Sequence, residues 1–372
     1  MFKLSEKERI ILAIDEYPLC RPLVEKPRFH HPALIDQYKD TSKLMLILCG
    51  SSMSYMEDHV LAYKAPLYGR RTAQMKILPF DFEETCHYFK NFTDEEKAYV
   101  YGIVGGTPQY LLQMSDKLSI EDNIKNTFLN PNSALFEEPE NLLKQEVREP
   151  ALYNAIITAI ATGASRMSEI SGKVGESTNI CSAYVKNLIS LGIIEKETPY
   201  GEKASRKAIY SIADNMFRFW YRFVPENNSI IARGAADLAY KRIEPYLSDY
   251  MGKVFEEICK QYLWKLLLNG ECPVEFSSLG RWWGNDPKEK CQTEIDILAE
   301  QDKNTALFGE CKWTNEKVDL GVLETLVKRS ELFPYKNVHY YLFAKTGFTK
   351  GCIDRASEMG NVNLVSYKDM LR

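Results

Sequence analysis

"TEIDILAEQDKNTALFGECKW", residues 293–313, consists of two apolar or alternating runs joined by the polar tetrapeptide "QDKN". That pattern predicts a β-hairpin. With the turn centred on Lys303, residues whose numbers sum to 606 lie opposite each other, so Asp296 faces Glu310. Like charges directly opposed across two strands destabilise a sheet, and a divalent cation is the simplest compensation. The same register sets Lys312 opposite Glu294 and, by the two-residue period of a strand, on the face of Glu310. The alternative is a hairpin whose Glu and Lys lie on a solvated face.

Immediately upstream, "GKVFEEICKQYLWKLL" (252–267) carries Val254, Phe255, Ile258, Cys259, Tyr262, Leu263 and Leu266 at helical spacing. These positions form one apolar stripe. Glu256 borders the stripe near Leu263 and is the better candidate for a site at the helix–sheet junction, whereas Glu257 points away. Between helix and hairpin lies "GRWWGND" (280–286), whose Trp282 and Trp283 either close the core or stack on a base. The core reading is favoured.

Further outward, residues 150–222 read as three helices, "PALYNAIITAIATG", "RMSEISGKVG" and "STNICSAYVKNLISLG". Ser177 is the expected N-cap of the third, and Gly192 its stop. Two strands around a Gly-containing turn follow, giving a winged helix-turn-helix pattern. The third helix would present Ser177, Asn179, Ser182, Lys186 and Asn187 to a major groove, with Lys203, Arg206 and Lys207 on the wing reaching phosphates. Residues 151–222 hold nine Lys plus Arg against six Asp plus Glu, a surplus of three. Winged helices also dock proteins, so this fold alone does not establish DNA contact. The aromatic run "MFRFWYRFVPENNS" (216–229) closes the module, and its Pro-Glu-Asn-Asn tail is expected to begin a linker.

At the N-terminus, "RIILAIDEYP" (9–18) and "KLMLILCGSS" (43–52) are apolar enough to be parallel strands covered on both faces. Asp15 and Glu16 then stand at the carboxyl end of a strand, where open α/β sheets bind ligands. There an Asp can hold Mg²⁺ while the adjacent Glu orients water. Ser51 or Ser52 would lie beside a γ-phosphate, and Arg70 or Arg71 of "APLYGRR" would stabilise charge. In "TDEEKAYVYGIVGGTPQYLLQM" (93–114), a helix start at Thr93 and a break before Pro108 suit a lid touching the base. An ordinary buried strand ending in two surface acids is the plainer reading of Asp15 and Glu16.

"IILAIDEYP", "LILCGSS", "APLYGRR" and "GGTPQYL", in this order, resemble the later motifs of archaeal and bacterial P-loop ATPases related to the AAA+ and STAND groups. The resemblance implies Walker B, sensor, arginine and lid roles, with Asp15, Glu16, Ser51, Arg70 and Pro108 facing the nucleotide. Nothing fits GxxxxGK[ST]; "SGKVGEST" (171–178) has the ingredients in the wrong order. Without that loop's N–H groups and lysine, tight ATP binding is expected to be lost. The expectation is therefore a truncated or degenerate ATPase lacking the upstream strand, loop and helix. ATP would belong to full-length relatives, and ATP hydrolysis is not expected of this chain.

The Asp, the Glu-x-Lys of the next strand and the helix Glu resemble the PD-(D/E)XK nuclease superfamily, particularly its Holliday-junction-resolvase-like branch. That resemblance implies Asp296, Glu310 and Glu256 as ligands of Mg²⁺ or Mn²⁺, with Lys312 activating water or stabilising charge. Ile295 stands where the superfamily has Pro. "GRWWGND" also resembles the domain of unknown function that accompanies these ATPases.

The expected architecture is thus α/β multidomain. A partial P-loop ATPase core with helical lid (1–145), a winged helix-turn-helix (146–225) and a restriction-endonuclease-like domain (245–372) follow in order. The function expected is metal-dependent DNA cleavage. The alternatives are a non-catalytic DNA-binding or regulatory adaptor and a fragment of a longer ATP-dependent switch, with homo-oligomerisation open.

Bulk composition fits this reading. A hydrophobic content of 45% and a charged content of 26% are those of a globular protein, and 372 residues exceed one ordinary core. The net charge of −4 argues against a generally basic coat while leaving room for a local basic face. No apolar run reaches the ~18 residues of a membrane span, and the N-terminus lacks a signal-peptide pattern. Nine scattered cysteines without a CxxC pair point to neither a disulfide framework nor structural zinc. A cytoplasmic protein is expected.

Overall fold

The computed structural model describes residues 1–20, 31–50, 56–63, 65–202 and 207–371. The fold is mixed α/β. Two strands, β1 (Ile10–Ile14) and β2 (Leu44–Leu48), pair in parallel with Ile10 beside Leu44, and α1 (His31–Tyr38) lies between them in sequence. The expected parallel pairing is present, but not the expected burial on both faces. Ile11 is 63% exposed and Met45 45%, while Ile10, Leu12 and Ile14 are half-buried. A pair of strands with alternate residues exposed is covered on one face only among the described residues.

A helical region follows: α2 (Phe82–Tyr88), α3 (Asp94–Val104), α4 (Pro108–Leu111), α5 (Ile120–Thr127) and α6 (Ala134–Glu146). The Thr93 start is a capping box, its hydroxyl accepting from the Glu96 N–H while the Glu96 carboxylate accepts from the Thr93 N–H. Pro108 opens α4 at the first helical position, where a missing N–H costs nothing.

Three helices, α7 (Pro150–Ala161), α8 (Met167–Val174) and α9 (Thr178–Ser190), then lead into an antiparallel hairpin of β3 (Ile194–Glu197) and β4 (Ile209–Ile212). Ser177 caps α9 by accepting from the Ile180 N–H, and Gly192 follows it at φ +75°. The expected linker is absent. α10 (Asn215–Ile231) runs through Pro225, and α11 (Ala236–Leu268) begins within a few residues. Phe217, Trp220, Tyr221, Val224 and Ile231 bury one face of α10. That burial outweighs the one helical hydrogen bond that a proline removes.

The C-terminal part is a five-stranded sheet in the order β5-β6-β7-β8-β9. Its strands are β5 (Leu279–Asp286), β6 (Cys291–Glu300), β7 (Thr305–Lys312), β8 (Asn337–Ala344) and β9 (Val362–Ser366), with α12 (Leu320–Ser330), α13 (Lys350–Met359) and α14 (Tyr367–Met370) between and after the later ones. β5, β6 and β7 pair antiparallel, then β7, β8 and β9 in parallel. Two cores flank the sheet. One, including Ile297, Ala299, Leu307 and Cys311, is continuous with α11 and with the helices from Phe82 onward. The other, including Ile295, Leu298, Ala306 and Phe308, is closed by Leu323 and Leu326 of α12.

Candidate active site at the end of the hairpin

The β6–β7 register is the one expected from the turn: Ile297 pairs Gly309, Leu298 pairs Phe308 and Glu300 pairs Ala306. The ladder ends at Ile297 and Gly309, one step before Asp296 and Glu310. Beyond it the Asp296 side chain replaces a strand partner, its Oδ2 accepting from the Cys311 N–H at 2.9 Å. Lys312 does not lie against Glu294 as expected. Glu294 pairs Trp283 on β5 and takes Arg281 Nη2 at 2.5 Å, because this end of β6 stays with β5 after leaving β7.

A β-bulge causes the divergence. Gly280 pairs Leu298 and Trp282 pairs Ile295, so one residue of β5 spans two of β6, Asp296 and Ile297. Bulges re-aim side chains and concentrate beside functional sites. Here the extra residue breaks alternation: Ile295 faces the α12 core and Ile297 the α11 core, though a regular strand would put both on one face. Asp296 sits at that switch, buried.

Glu310 is also buried and shares the α12 face with Ala306 and Phe308. Lys312 Nζ donates to its Oε1 at 2.6 Å, and Arg329 Nη1, from the last turn of α12, to its Oε2 at 3.3 Å. Burial and then the Asp296 charge hold the Glu310 pKa above the carboxylate range. Burial also raises Asp296, against the Cys311 N–H and Lys312. For Lys312 burial opposes the charge, but Glu310 more than offsets it and the ammonium titrates above the ordinary lysine value.

Glu256 approaches from α11, on the other face. Burial and then the Asp296 charge push it up to about 7. Glu257 points elsewhere, as expected: burial disfavours its charge, yet Lys260, at 2.8 Å, holds its pKa below the ordinary value. Glu310 and Glu256 thus each feel the Asp296 charge, Glu310 from the α12 side of the sheet and Glu256 from the α11 side. Among the described residues no three His, Cys, Asp or Glu side chains gather closely enough to hold a metal ion. The expected ligand set of Asp296, Glu310 and Glu256 is therefore not assembled as a threesome; Asp296 and Glu310 are hard oxygen donors of the kind Mg²⁺ and Mn²⁺ take.

The two tryptophans divide their duties. Trp282 packs against Phe333 in the α12 core, with ring centres 4.9 Å apart. Trp283 lies under the Arg281 guanidinium at 5.9 Å.

The N-terminal candidates are less assembled. Asp15 is exposed just beyond β1, with its Oδ1 accepting from the Glu16 N–H, and Glu16 has φ +47°. Arg70 is committed to Asp36 through two hydrogen bonds of 2.8 and 2.6 Å, and Arg71 is exposed. Ser51 and Ser52 lie outside the described residues, as do Lys203 and Arg206. On α9, Ser177, Asn179, Ser182 and Lys186 are exposed, but Asn187 turns back to donate to the Tyr153 hydroxyl. Lys207 pairs with Glu202. Sequence reasoning missed Arg329, Arg281 and the hydrogen-bonded Cys259–Cys311 contact behind the site. Only the position of Arg329 in a helix's last turn was locally readable.

Comparison with known proteins places these elements in a class. Residues 2–114 match an ATPase domain predominantly from Archaea, and residues 220–323 match archaeal and bacterial proteins of unknown function. The chain belongs to this archaeal and bacterial ATPase family. It is 35% identical over 315 residues to Uncharacterized protein MJECL04 of Methanocaldococcus jannaschii, covering 84% of this chain and 69% of that protein. Among the described residues no helix is long and apolar enough to cross a membrane.

Proposed function

We propose that this ATPase-family chain is a metal-dependent DNA nuclease, its C-terminal sheet being a PD-(D/E)XK-like domain and residues 146–225 a DNA-binding winged helix. The observation that carries the reading is the bulge at Asp296, which aims one buried carboxylate at the strand end where Glu310 and Lys312 meet. A sheet built for stability alone gains nothing from two buried acids of raised pKa side by side. Asp296 and Glu310 would hold Mg²⁺ or Mn²⁺, which supplies a hydroxide-forming water and neutralises charge on a phosphodiester. Lys312, protonated throughout the neutral range, stabilises the developing phosphate charge rather than acting as base. Arg329 orients Glu310. Glu256, titrating near neutrality, exchanges a proton with water beside Asp296. Ser177, Asn179, Ser182 and Lys186 present the exposed face of α9 to a groove.

Cleavage of linear, single-stranded and four-way-junction DNA with Mg²⁺ or Mn²⁺ tests the proposal. Asp296→Ala and Lys312→Ala are each expected to lower the rate by two or more orders of magnitude, the scale of losing a preorganised charge, ~2.7–4 kcal/mol. Absence of cleavage on every substrate, together with absence of metal binding that depends on Asp296, would reduce the domain to a scaffold.

A further inference from the structure

The loop of the β3–β4 hairpin reaches across to the edge of the five-stranded sheet. Tyr200, in that loop, donates its backbone N–H to the Arg281 carbonyl on β5 at 2.9 Å. Its hydroxyl accepts from the Glu300 N–H on β6 at 3.1 Å and donates to the Ser278 carbonyl, just ahead of β5, at 3.3 Å. Its ring packs against the α12 core beside Gly280, where a Cβ would stand 3.5 Å from Tyr200 Cδ2. One residue of the three-helix module therefore bridges β5 and β6.

The bridged positions flank the bulge. Arg281 is the β5 residue that spans Asp296 and Ile297, and Glu300 lies one residue past the last β5–β6 pair, Leu279 with Ala299. A bulge interrupts the ladder, and an edge strand such as β5 has no neighbouring strand on its outer side to make up the loss. Tyr200 supplies hydrogen bonds at that place, one from its backbone and two through its hydroxyl. We propose that Tyr200 is a positioning residue for Asp296: by clamping β5 to β6 across the bulge, it keeps the carboxylate on the Cys311 N–H, at the strand end where a divalent cation would be held. The proposal rests on the nuclease reading for that last step alone, because the placement of Asp296 can be measured without metal or DNA. Covering an exposed strand edge is the plainer service of a docked loop, and it predicts no effect at Cys311.

Amide hydrogen exchange of the full chain in EDTA, followed by NMR, reads that placement, because the Cys311 N–H is the group that Asp296 accepts from. Tyr200→Phe keeps the ring and the backbone N–H and removes the hydroxyl, whereas Tyr200→Ala removes the ring as well. The Phe343 amide, on β8 between β7 and β9, serves as the reference for global opening. Relative to it, Cys311 exchange is expected to rise several-fold in Tyr200→Phe and about tenfold in Tyr200→Ala, the scale of one net hydrogen bond. Glu300 exchange should rise in both variants, since its N–H loses its acceptor. Faster exchange at Glu300 with Cys311 unchanged, or an equal rise at Cys311 and Phe343, overturns the proposal. Calorimetric titration with Mn²⁺, without DNA, should show binding weakened several-fold by Tyr200→Ala. If the parent binds no Mn²⁺ the nuclease reading fails, and the exchange result still decides whether Tyr200 positions Asp296. On any DNA that the parent cleaves, Tyr200→Phe should lower kcat and leave KM unchanged; a change in KM alone would make Tyr200 a substrate contact and overturn its positioning role.

Discussion

Glu256 and Asp296 make the chain's stability depend on pH in a direction opposite to that of ordinary ion-paired acids. Glu256 ionises near 7 in the folded protein and near 4.5 when unfolded, so between those values the unfolded chain sheds its proton first. Stability therefore falls as pH rises through that window, with a slope approaching ~1.4 kcal/mol per pH unit for one proton. Glu256→Gln removes the contribution. Urea unfolding at pH 5.0 and 7.5 should show the variant gaining on the parent as pH rises; parallel curves would exclude the buried carboxylate as the cause. Asp296→Asn is a companion case. The amide keeps an acceptor for the Cys311 N–H but removes the charge that raises both Glu256 and Glu310. At pH 7.5 and without metal it should stabilise the fold by about 1 kcal/mol, whereas Asp296→Ala, which orphans that N–H, should not. A gain of this sign is what a site retained for chemistry produces.

At the scale of elements, the close approach of the Gly-Gly-Thr-Pro break to Phe80, just ahead of α2, is the sharpest constraint. A Cβ on Gly106 would stand 1.8 Å from the Phe80 carbonyl oxygen, and the Phe80 N–H donates to the Gly106 carbonyl at 2.9 Å. Gly106→Ala must push the two backbones apart and break that bond, so a loss of several kcal/mol is expected, above the ~1–3 kcal/mol of ordinary overpacking. Differential scanning calorimetry reads it; an unchanged Tm would mean that the approach is not maintained in solution. The same elements show what sequence could and could not yield. The hairpin register was legible because "QDKN" fixed the turn, and a one-residue slip would have reversed every face. The caps at Thr93 and Ser177 were legible because hydroxyl chemistry is local. The bulge at Asp296 was not, since a bulge is set by how β5 and β7 both pair with β6 and leaves no mark in composition. For the same reason Lys312 was set against Glu294 when β5 in fact claims Glu294. The Pro-Glu-Asn-Asn stretch read as a linker because turn residues are local signals, while the aromatic face that keeps α10 helical gains its energy from distant partners. Arg329 completes the site from a helix that begins after the hairpin is over.

At the scale of the whole molecule, the larger core runs without interruption from Phe82 to Met370. Its polar ties are equally long-range: Tyr250 donates to the Gly102 carbonyl, Tyr367 to that of Asp94, and Gln261 to the Tyr101 hydroxyl while accepting from the Phe82 N–H. Lys345 adds an ion pair to Glu95. The helices that follow Phe82 are therefore fastened to the C-terminal part, whereas β1 and β2 contribute no residue to either core. Residues 71–79 between them are exposed throughout and belong to no described helix or strand. Two cooperative units follow from that distribution, since stability tracks shared buried contacts rather than chain order. Brief trypsin digestion should cut at Arg70, Arg71 or Lys76 and leave a fragment beginning between residues 71 and 77 that resists further cleavage. That fragment should unfold in one transition with the m-value of its full size, because the helices from Phe82, the three-helix module and the sheet share one interior. Cleavage first near residues 145–150, or a fragment melting in two steps, would instead place the boundary between the helical region and the module that follows it.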